Sequence, residues 1–246
     1  MSYKSPIEDF KYNLAMLNYD EIIAGIDKFK DYDSDTLMSV VSEIGRLNEL
    51  EVVDSNKIGD REGLKYLPDG PEGPEVQTPE AFKKIYEVVK DSGYVGATMP
   101  TQYGGGGAPF TTAILAGEVG IASNMAFYMG PGLSHGAMKT ILKKATEELK
   151  DKYLPNMTSG EWMGTMCLTE PQCGTDLGLI KSTAKPVDDH YELNGQKIWI
   201  SFGEHDLTEN IIHLVLARTP DAPAGIKGIS LFLVPKRLDD NSRNPI

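Results

Sequence analysis

Met163–Ile180, MGTMCLTEPQCGTDLGLI, begins as a strand and cannot finish as one. In an extended chain Thr165, Cys167 and Thr169 fall on one face, and Met166, Leu168 and Glu170 on the other. Pro171 ends the ladder because it has no N–H to donate. The following QCGTDLG sets Gly174 and Gly178 beside Thr175 and Asp176. Glycines there let backbone come close to a ligand, and successive N–H groups in such a turn hold an anion without any cationic side chain. Two readings stand: an ordinary turn with an Asx-type hydrogen bond, and a loop that offers its N–H donors to an anion.

Outward from this stretch, the hydrophobic period changes near Gly160. Before it the spacing is helical. In DSDTLMSVVSEIGRLNEL (33–50), Leu37, Val40, Val41, Ile44 and Leu47 share a face, behind candidate caps Asp33, Ser34 and Asp35. EGLKYLPDGPEGPEVQTPE (62–80) reads as a Pro/Gly-rich loop ending in a Thr78 cap with Pro79 at the first helical position. The next helix buries Phe82, Ile85, Tyr86 and Val89 and stops at Gly93. TTAILAGEVGIASNMAFYM (111–129) is apolar all round, as an interior helix is, and two shorter helices are expected over 136–144 and 147–154. After Gly160 the period is two: EWMGTMCLTE, STAKPV, HYELNGQKIWISF, NIIHLVLART and GISLFLVPK read as strands, joined by turns such as Asn194-Gly195. The expected fold class is α+β and multidomain: an all-helical unit over 1–160, then an antiparallel β unit over 161–246 that looks incomplete.

Composition narrows the function classes. The 246 residues carry 36 acidic and 24 basic side chains, a formal charge of −12, which argues against nucleic acid as a partner. No apolar run in the sequence approaches the ~20 residues of a membrane helix, and the polar, acidic start MSYKSPIEDF lacks the zones of a signal peptide. The two cysteines, Cys167 and Cys173, are too far apart for a CxxC pair; a reducing, cytoplasmic setting is the expectation.

Most other candidates read as structure. The run Gly104–Gly107 fits neither GxGxxG nor a P-loop and is expected to be a flexible loop between helices. His135, His190, His205 and His213 have no metal-ligand spacing, so no metal is expected and each reads as a surface or satisfied core residue. GLSHG around Ser134 lacks the order of a nucleophile elbow. Glu147 and Glu148 suit a helix start, and Met125 and Met129 suit core filling. A second element remains: in NGQKIWIS, Trp199 and Ser201 would share one strand face, a large flat ring beside a hydroxyl. In this order, ~25 residues beyond the first motif, the pair is specific.

With these two motifs the sequence resembles the acyl-CoA dehydrogenase family. The matching pieces are TEELKDKYLPNMTSGEWMGTMCLTEPQCGTDL (146–177), YELNGQKIWISFGEHD (191–206) and HLVLARTPDAPAGIKGISLFLVPK (213–236). The wording is most similar to the branch that includes 3-methylmercaptopropionyl-CoA dehydrogenase. The resemblance implies a helical N-terminal domain, a middle β domain and a C-terminal four-helix domain, with FAD between the last two. It implies that Met166, Leu168, Thr169, Gly174, Thr175, Trp199 and Ser201 contact FAD, with Thr175 also available to the acyl-CoA. Gln172 and Cys173 stand where the family has small residues, Thr175 where it has Ser, and Met166 where an aromatic is common. The implied reaction is α,β-dehydrogenation of an acyl-CoA thioester, with electrons passed to an electron-transferring flavoprotein and a homo-oligomer at full length. The family's base is a C-terminal-domain Glu, so no catalytic residue is expected in this chain, which by itself should be inactive. Two other expectations are a non-catalytic module that associates with a separate C-terminal half, and an acyl-CoA oxidase relative.

Overall fold

The structure, a computed structural model, describes residues 3–245. The chain forms α1 (Ile7–Met16), α2 (Tyr19–Ala24), α3 (Ser34–Leu47), α4 (Val53–Glu62), β1 (Lys65–Gly70), β2 (Gly73–Gln77), α5 (Glu80–Asp91), α6 (Phe110–Lys144) and α7 (Glu147–Ser159). The β part follows: β3 (Trp162–Cys167), β4 (Thr183–Val187), β5 (His190–Asn194), β6 (Asn210–Ala217) and β7 (Ser230–Pro235). Helices first and strands second is the order the periodicity predicts.

Local chemistry explains the helix ends. Asp33 caps α3, its carboxylate accepting from Thr36 N at 2.8 Å. Leu37, Val41 and Ile44 are buried behind it, whereas Val40 is exposed. The expected Thr78 cap is not one: Pro79 takes the N-cap position, and Thr78 donates its N–H and hydroxyl to Asp206 at 2.9 and 2.7 Å. A loop residue 128 positions away thus supplies the anion at the start of α5.

The two expected segments around 111–129 and 136–144 are one long element, α6, bent at Asn124 (φ −156°, ψ 88°). Asn124 caps the second half: its Oδ1 accepts from Phe127 N at 3.0 Å, and its Nδ2 donates to Ser55 Oγ. Opposite the bend, Asn48–Val52 is a π-helical turn between α3 and α4, and Ser123 Oγ donates to Asn48 Oδ1 at 2.7 Å. Two interrupted helices therefore satisfy each other's buried polar groups. By length and composition α6 could cross a membrane. Its buried side chains, from Thr112 to Ile141, instead feed both apolar cores.

The first core joins Leu37, Val41, Phe82, Tyr86, Val119 and Phe127; Phe127 meets the rings of Phe82, Tyr86 and Tyr128 edge-on at 5.7, 6.4 and 5.3 Å. The second joins Met138, Ile141, Leu154 and Met157 to Ile212 and Leu214 of the sheet. Gly164 makes the seam possible: a Cβ there would lie 2.6 Å from Ala137 Cβ and 2.7 Å from Met157 Cε.

Three expectations change. The Pro/Gly stretch is a hairpin, with Lys65 opposite Gln77 and Leu67 opposite Glu75. Arg237 ties it down through Glu72 at 2.5 Å. The main sheet, ordered β3-β6-β7, is mixed rather than antiparallel: β6 pairs parallel with β3 and antiparallel with β7. A parallel pair needs a long crossover, and residues 168–209 provide it. Finally, Gly104–Gly107 is a packed loop. Gly105, Gly106 and Gly107 donate to Pro100, Gly96 and Met99 carbonyls at 3.1, 3.1 and 2.9 Å, and a Cβ on Gly105 would meet Met99 O at 2.1 Å.

Candidate functional site

The crossover carries both sequence motifs, and a buried carboxylate joins them. Glu170 follows β3 and is 3% exposed. Its N–H and C=O close a turn with Cys173 at 2.8 and 3.0 Å, which Pro171 permits because its missing N–H faces out of that pairing. The carboxylate accepts from Lys181 N (2.8 Å), Ser182 N (3.1 Å) and Lys197 Nζ (2.8 Å). Burial alone would raise its pKa; the bonds from Lys197, Ser182 and Lys181 outweigh burial and hold it at about 2. Glu170 is thus a permanently ionised clamp, and a carboxylate held so low is a poor base at neutral pH. Reading the sequence for catalytic carboxylates misses it. The available signal was a Glu placed before Pro at a strand end, with one Lys in the second motif.

Lys197 Nζ also donates to Leu168 O at 3.1 Å, and Ile198 N donates to Thr169 O at 2.9 Å. The second motif therefore lies along the end of the first. It is not the expected strand. Trp199 and Phe202 sit in the left-handed region, at φ 60° and 55°, and no ladder runs through 196–201. Trp199 and Ser201 do not share a strand face; both are exposed, the indole by 86%. Asn194-Gly195 likewise ends β5 rather than joining two strands, and the β4–β5 turn is Asp188-Asp189.

The remaining predicted residues divide between two places. Thr169 is half-buried and Gly174 lies against it, since a Cβ on Gly174 would be 3.2 Å from Thr169 Cγ2. Thr175 is exposed beside them. Asp176 accepts from Gly178 N at 3.0 Å, so this half of the loop is the Asx-type turn. Leu168 is half-buried, its carbonyl held by Lys197. Met166 points elsewhere, into the helix-side core with Trp162, Leu142 and Leu233. Thr169, Gly174, Trp199 and their neighbours thus form an open wall. Two cavities of about 410 and 450 Å³ lie away from it, one lined by Tyr19, Ser34 and Met38, the other by Tyr86, Glu161 and Thr208.

Other candidates resolve as structure. Ser134 Oγ accepts from Gly164 N at 3.0 Å and is a helix–strand staple. Met125 and Met129 are exposed, not core filler. His213 Nδ1 lies 2.7 Å from Thr165 Oγ1 across the parallel pair; burial, then the charge of Lys236, lowers its pKa to about 4. His205 falls to about 3 for the same two reasons. His205 Nε2 and His135 Nε2 are buried without partners, so these two are not the satisfied core residues expected. Among the described residues no cluster of His, Cys, Asp and Glu could hold a metal ion.

Comparison with known proteins matches two stretches of the chain. Residues 71–161 match the acyl-CoA dehydrogenase N-terminal domain, and residues 165–245 match the acyl-CoA dehydrogenase middle domain. The chain is 38% identical to 3-methylmercaptopropionyl-CoA dehydrogenase of Ruegeria pomeroyi, over 97% of this chain and 40% of that protein. It is 36% identical to a butyryl-CoA dehydrogenase of Syntrophomonas wolfei, over 96% of this chain and 38% of that protein. A Bacillus anthracis acyl-CoA dehydrogenase solved as a complex with FAD has a like fold, with TM-score 0.64 at 24% identity over 84% of this chain and 32% of that one. The chain spans about 40% of the length of the curated relatives it matches. Helical and β parts in this order, joined through these two motifs, make the chain a member of the acyl-CoA dehydrogenase family.

Proposed function

We propose that residues 1–160 and 161–246 are the helical and middle units of an FAD-dependent acyl-CoA dehydrogenase, an oxidoreductase that introduces an α,β double bond into an acyl-CoA thioester. The observation that carries this is Trp199. The most exposed large apolar side chain among the described residues is held in an unfavourable backbone conformation, next in sequence to Ile198, whose N–H donates to Thr169 O. Isolated exposed indoles cost solvation and invite a partner ring.

The donor set fits a flavin. It offers one flat ring (Trp199), hydroxyls at Thr169, Thr175 and Ser201, and a glycine backbone at Gly174 that a side chain would not obstruct from solvent. FAD, when bound, supplies the hydride acceptor. The residues of this chain bind and orient: Trp199 packs on the flavin ring, while Thr169 and Ser201 donate to its polar edge together with Leu168 backbone. Thr175 and Gly174 face the phosphate or thioester side. Met166, half-buried on the helix side, acts through packing. Glu170 is excluded as the α-proton base by the four donors it accepts from, Gln172 Nε2, Lys181 N, Ser182 N and Lys197 Nζ, so the base is a carboxylate outside this loop. The same reading carries an electron-transferring flavoprotein as acceptor, homo-oligomeric assembly at full length, and a cytoplasmic setting in keeping with two buried free thiols.

The test is an absorbance scan of the purified full-length protein for oxidised flavin, repeated with Trp199→Ala. Stoichiometric flavin that weakens in the variant supports the reading; a protein that neither carries nor takes up flavin sinks it. Peroxide formation during acyl-CoA turnover would move it to the oxidase side.

A second reading has its own observation. Phe110, Ile114 and Ile121 share one side of the first half of α6 and are exposed, as are Met125 and Met129 just beyond the bend. They favour a module whose apolar face is covered by a separate polypeptide. Full-length protein that is monomeric and active by itself would rule this out.

A further inference from the structure

Among the described residues, five non-glycine positions have positive φ: Asn18, Asp188, Trp199, Phe202 and Asn241. Asn and Asp tolerate that region because their short polar side chains bond locally. Trp199 and Phe202 have no such excuse. Bulky side chains persist there only where the surroundings over-determine the backbone.

The surroundings act at both ends of the segment. On the N-terminal side, Lys197 is tied to Glu170 Oε1 and Leu168 O. On the C-terminal side, the half-buried Phe202 ring is seated on α6 at Gly130. A Cβ on Gly130 would lie 2.7 Å from Phe202 Cε1 and 2.8 Å from Cδ1. The His205 ring closes the other side at 5.7 Å, and Gly203 N donates to Ile200 O at 3.0 Å between the anchors. Trp199 contributes almost no packing of its own, being 86% exposed. The strain therefore does not serve the burial of the residue that carries it. Gly130 is itself unexpected, since glycine weakens a helix interior relative to alanine and survives there for a packing reason.

We propose that Gly130 is a positioning residue: its missing side chain seats Phe202, and this seat, with the Lys197–Glu170 tie, holds Trp199 outward as a preformed stacking surface for the flavin ring. The proposal rests on the flavin reading above and deepens it, because it makes α6 of the helical unit the mechanical support of a contact made by the β unit. Preformed surfaces bind more tightly because the ordering cost is met before the ligand arrives.

The experiment is a double-mutant cycle in the full-length apoprotein, with FAD affinity read by quenching of flavin fluorescence. Gly130→Ala should weaken FAD by about ten-fold, or ~1.4 kcal/mol. Trp199→Ala should weaken it at least as much, and the double variant should be no weaker than Trp199→Ala alone. Acrylamide quenching of Trp199, read as the part of the indole emission that Trp199→Phe removes, should change in Gly130→Ala apoprotein while thermal stability is kept or raised, as a better helix former allows. Phe202→Ala, which removes the ring rather than crowding it, must give the same pattern, so a misfolded Gly130→Ala does not shield the proposal. Additive effects, or wild-type affinity in Gly130→Ala and Phe202→Ala, overturn the positioning role and leave the flavin reading intact. If Trp199→Ala binds FAD as well as the parent, the stacking role of Trp199 fails and the proposal falls with it.

Discussion

Replacing Glu170 by Gln keeps the shape of the side chain and removes the charge that Lys197, Lys181 and Ser182 are arranged around. The expected cost follows from the proton affinity. Folding lowers this carboxyl from its ordinary 4.5 to about 2. At 1.36 kcal/mol per pH unit, that gap corresponds to about 3 kcal/mol of stability. Because the folded value is the lower one, the contribution is complete above about pH 4.5 and drains away as the pH falls toward 2. Removing the negative partner also leaves the Lys197 ammonium, 12% exposed, without its counter-ion, which works in the same direction. Glu170→Gln should therefore unfold about 6–12 °C below the parent at pH 7, using the scaling for domains of this size. The gap should narrow steadily below pH 4.5. The assay is thermal unfolding of both proteins followed by circular dichroism at pH 7, 5, 4 and 3. A constant gap across that range, or none at pH 7, would show that the clamp is not charge-based and would refute the argument.

Three further outcomes are expected. His213→Gln should flatten the pH dependence of stability between about 6.5 and 4, since a buried neutral imidazole with a lowered pKa favours folding above 6.5 and loses that advantage as acid protonates the unfolded chain; urea titrations at pH 7 and 5 would read a differential of about 2 kcal/mol. Gly105→Ala should cost about 2–4 kcal/mol because its Cβ meets a backbone oxygen, whereas Gly132→Ala, which meets nothing within 4 Å inside a helix, should gain about 0.5–1 kcal/mol; melting temperatures of the two decide it. Residues 1–246 expressed alone should reduce no dye acceptor with any acyl-CoA, and clear turnover would mean that a base had been overlooked.

Much of the helical half was legible because each helix carries its own evidence. Asp33 announces α3, and Phe82, Ile85, Tyr86 and Val89 repeat at the spacing that the buried face of α5 shows. The misses are places where distant residues overrule local pattern. Asp206 displaces Thr78 as the partner at the start of α5, and Asn124 with Ser55 bends what reads as two helices into one. In the candidate site, the residue types and their order could be read, but not their arrangement. WIS alternates like a strand, and nothing local says that Trp199 and Phe202 take positive φ. That conformation is imposed by Lys197 on one side and by a glycine 72 residues earlier, 202 − 130, on the other. Glu170 was visible as a residue and invisible as a clamp, because two of its partners are backbone N–H groups of a later segment and a third is Lys197, 27 positions on.

The parallel pairing of β3 with β6 bears on the order in which the molecule assembles. Thr165 and His213 meet across 48 positions, and every wall residue from Thr169 to Ser201 lies in the loop that this pairing closes. Closing such a loop costs chain entropy before any contact inside it repays the loss. The helices, held by neighbours in sequence, can form first; the wall proposed to face the flavin can take shape only after the sheet has closed around it. Hydrogen exchange should accordingly find the amides of 169–201 opening at lower free energy than those of α5 and α6. A nascent or damaged chain would then lose its proposed cofactor surface while its helical half was still intact.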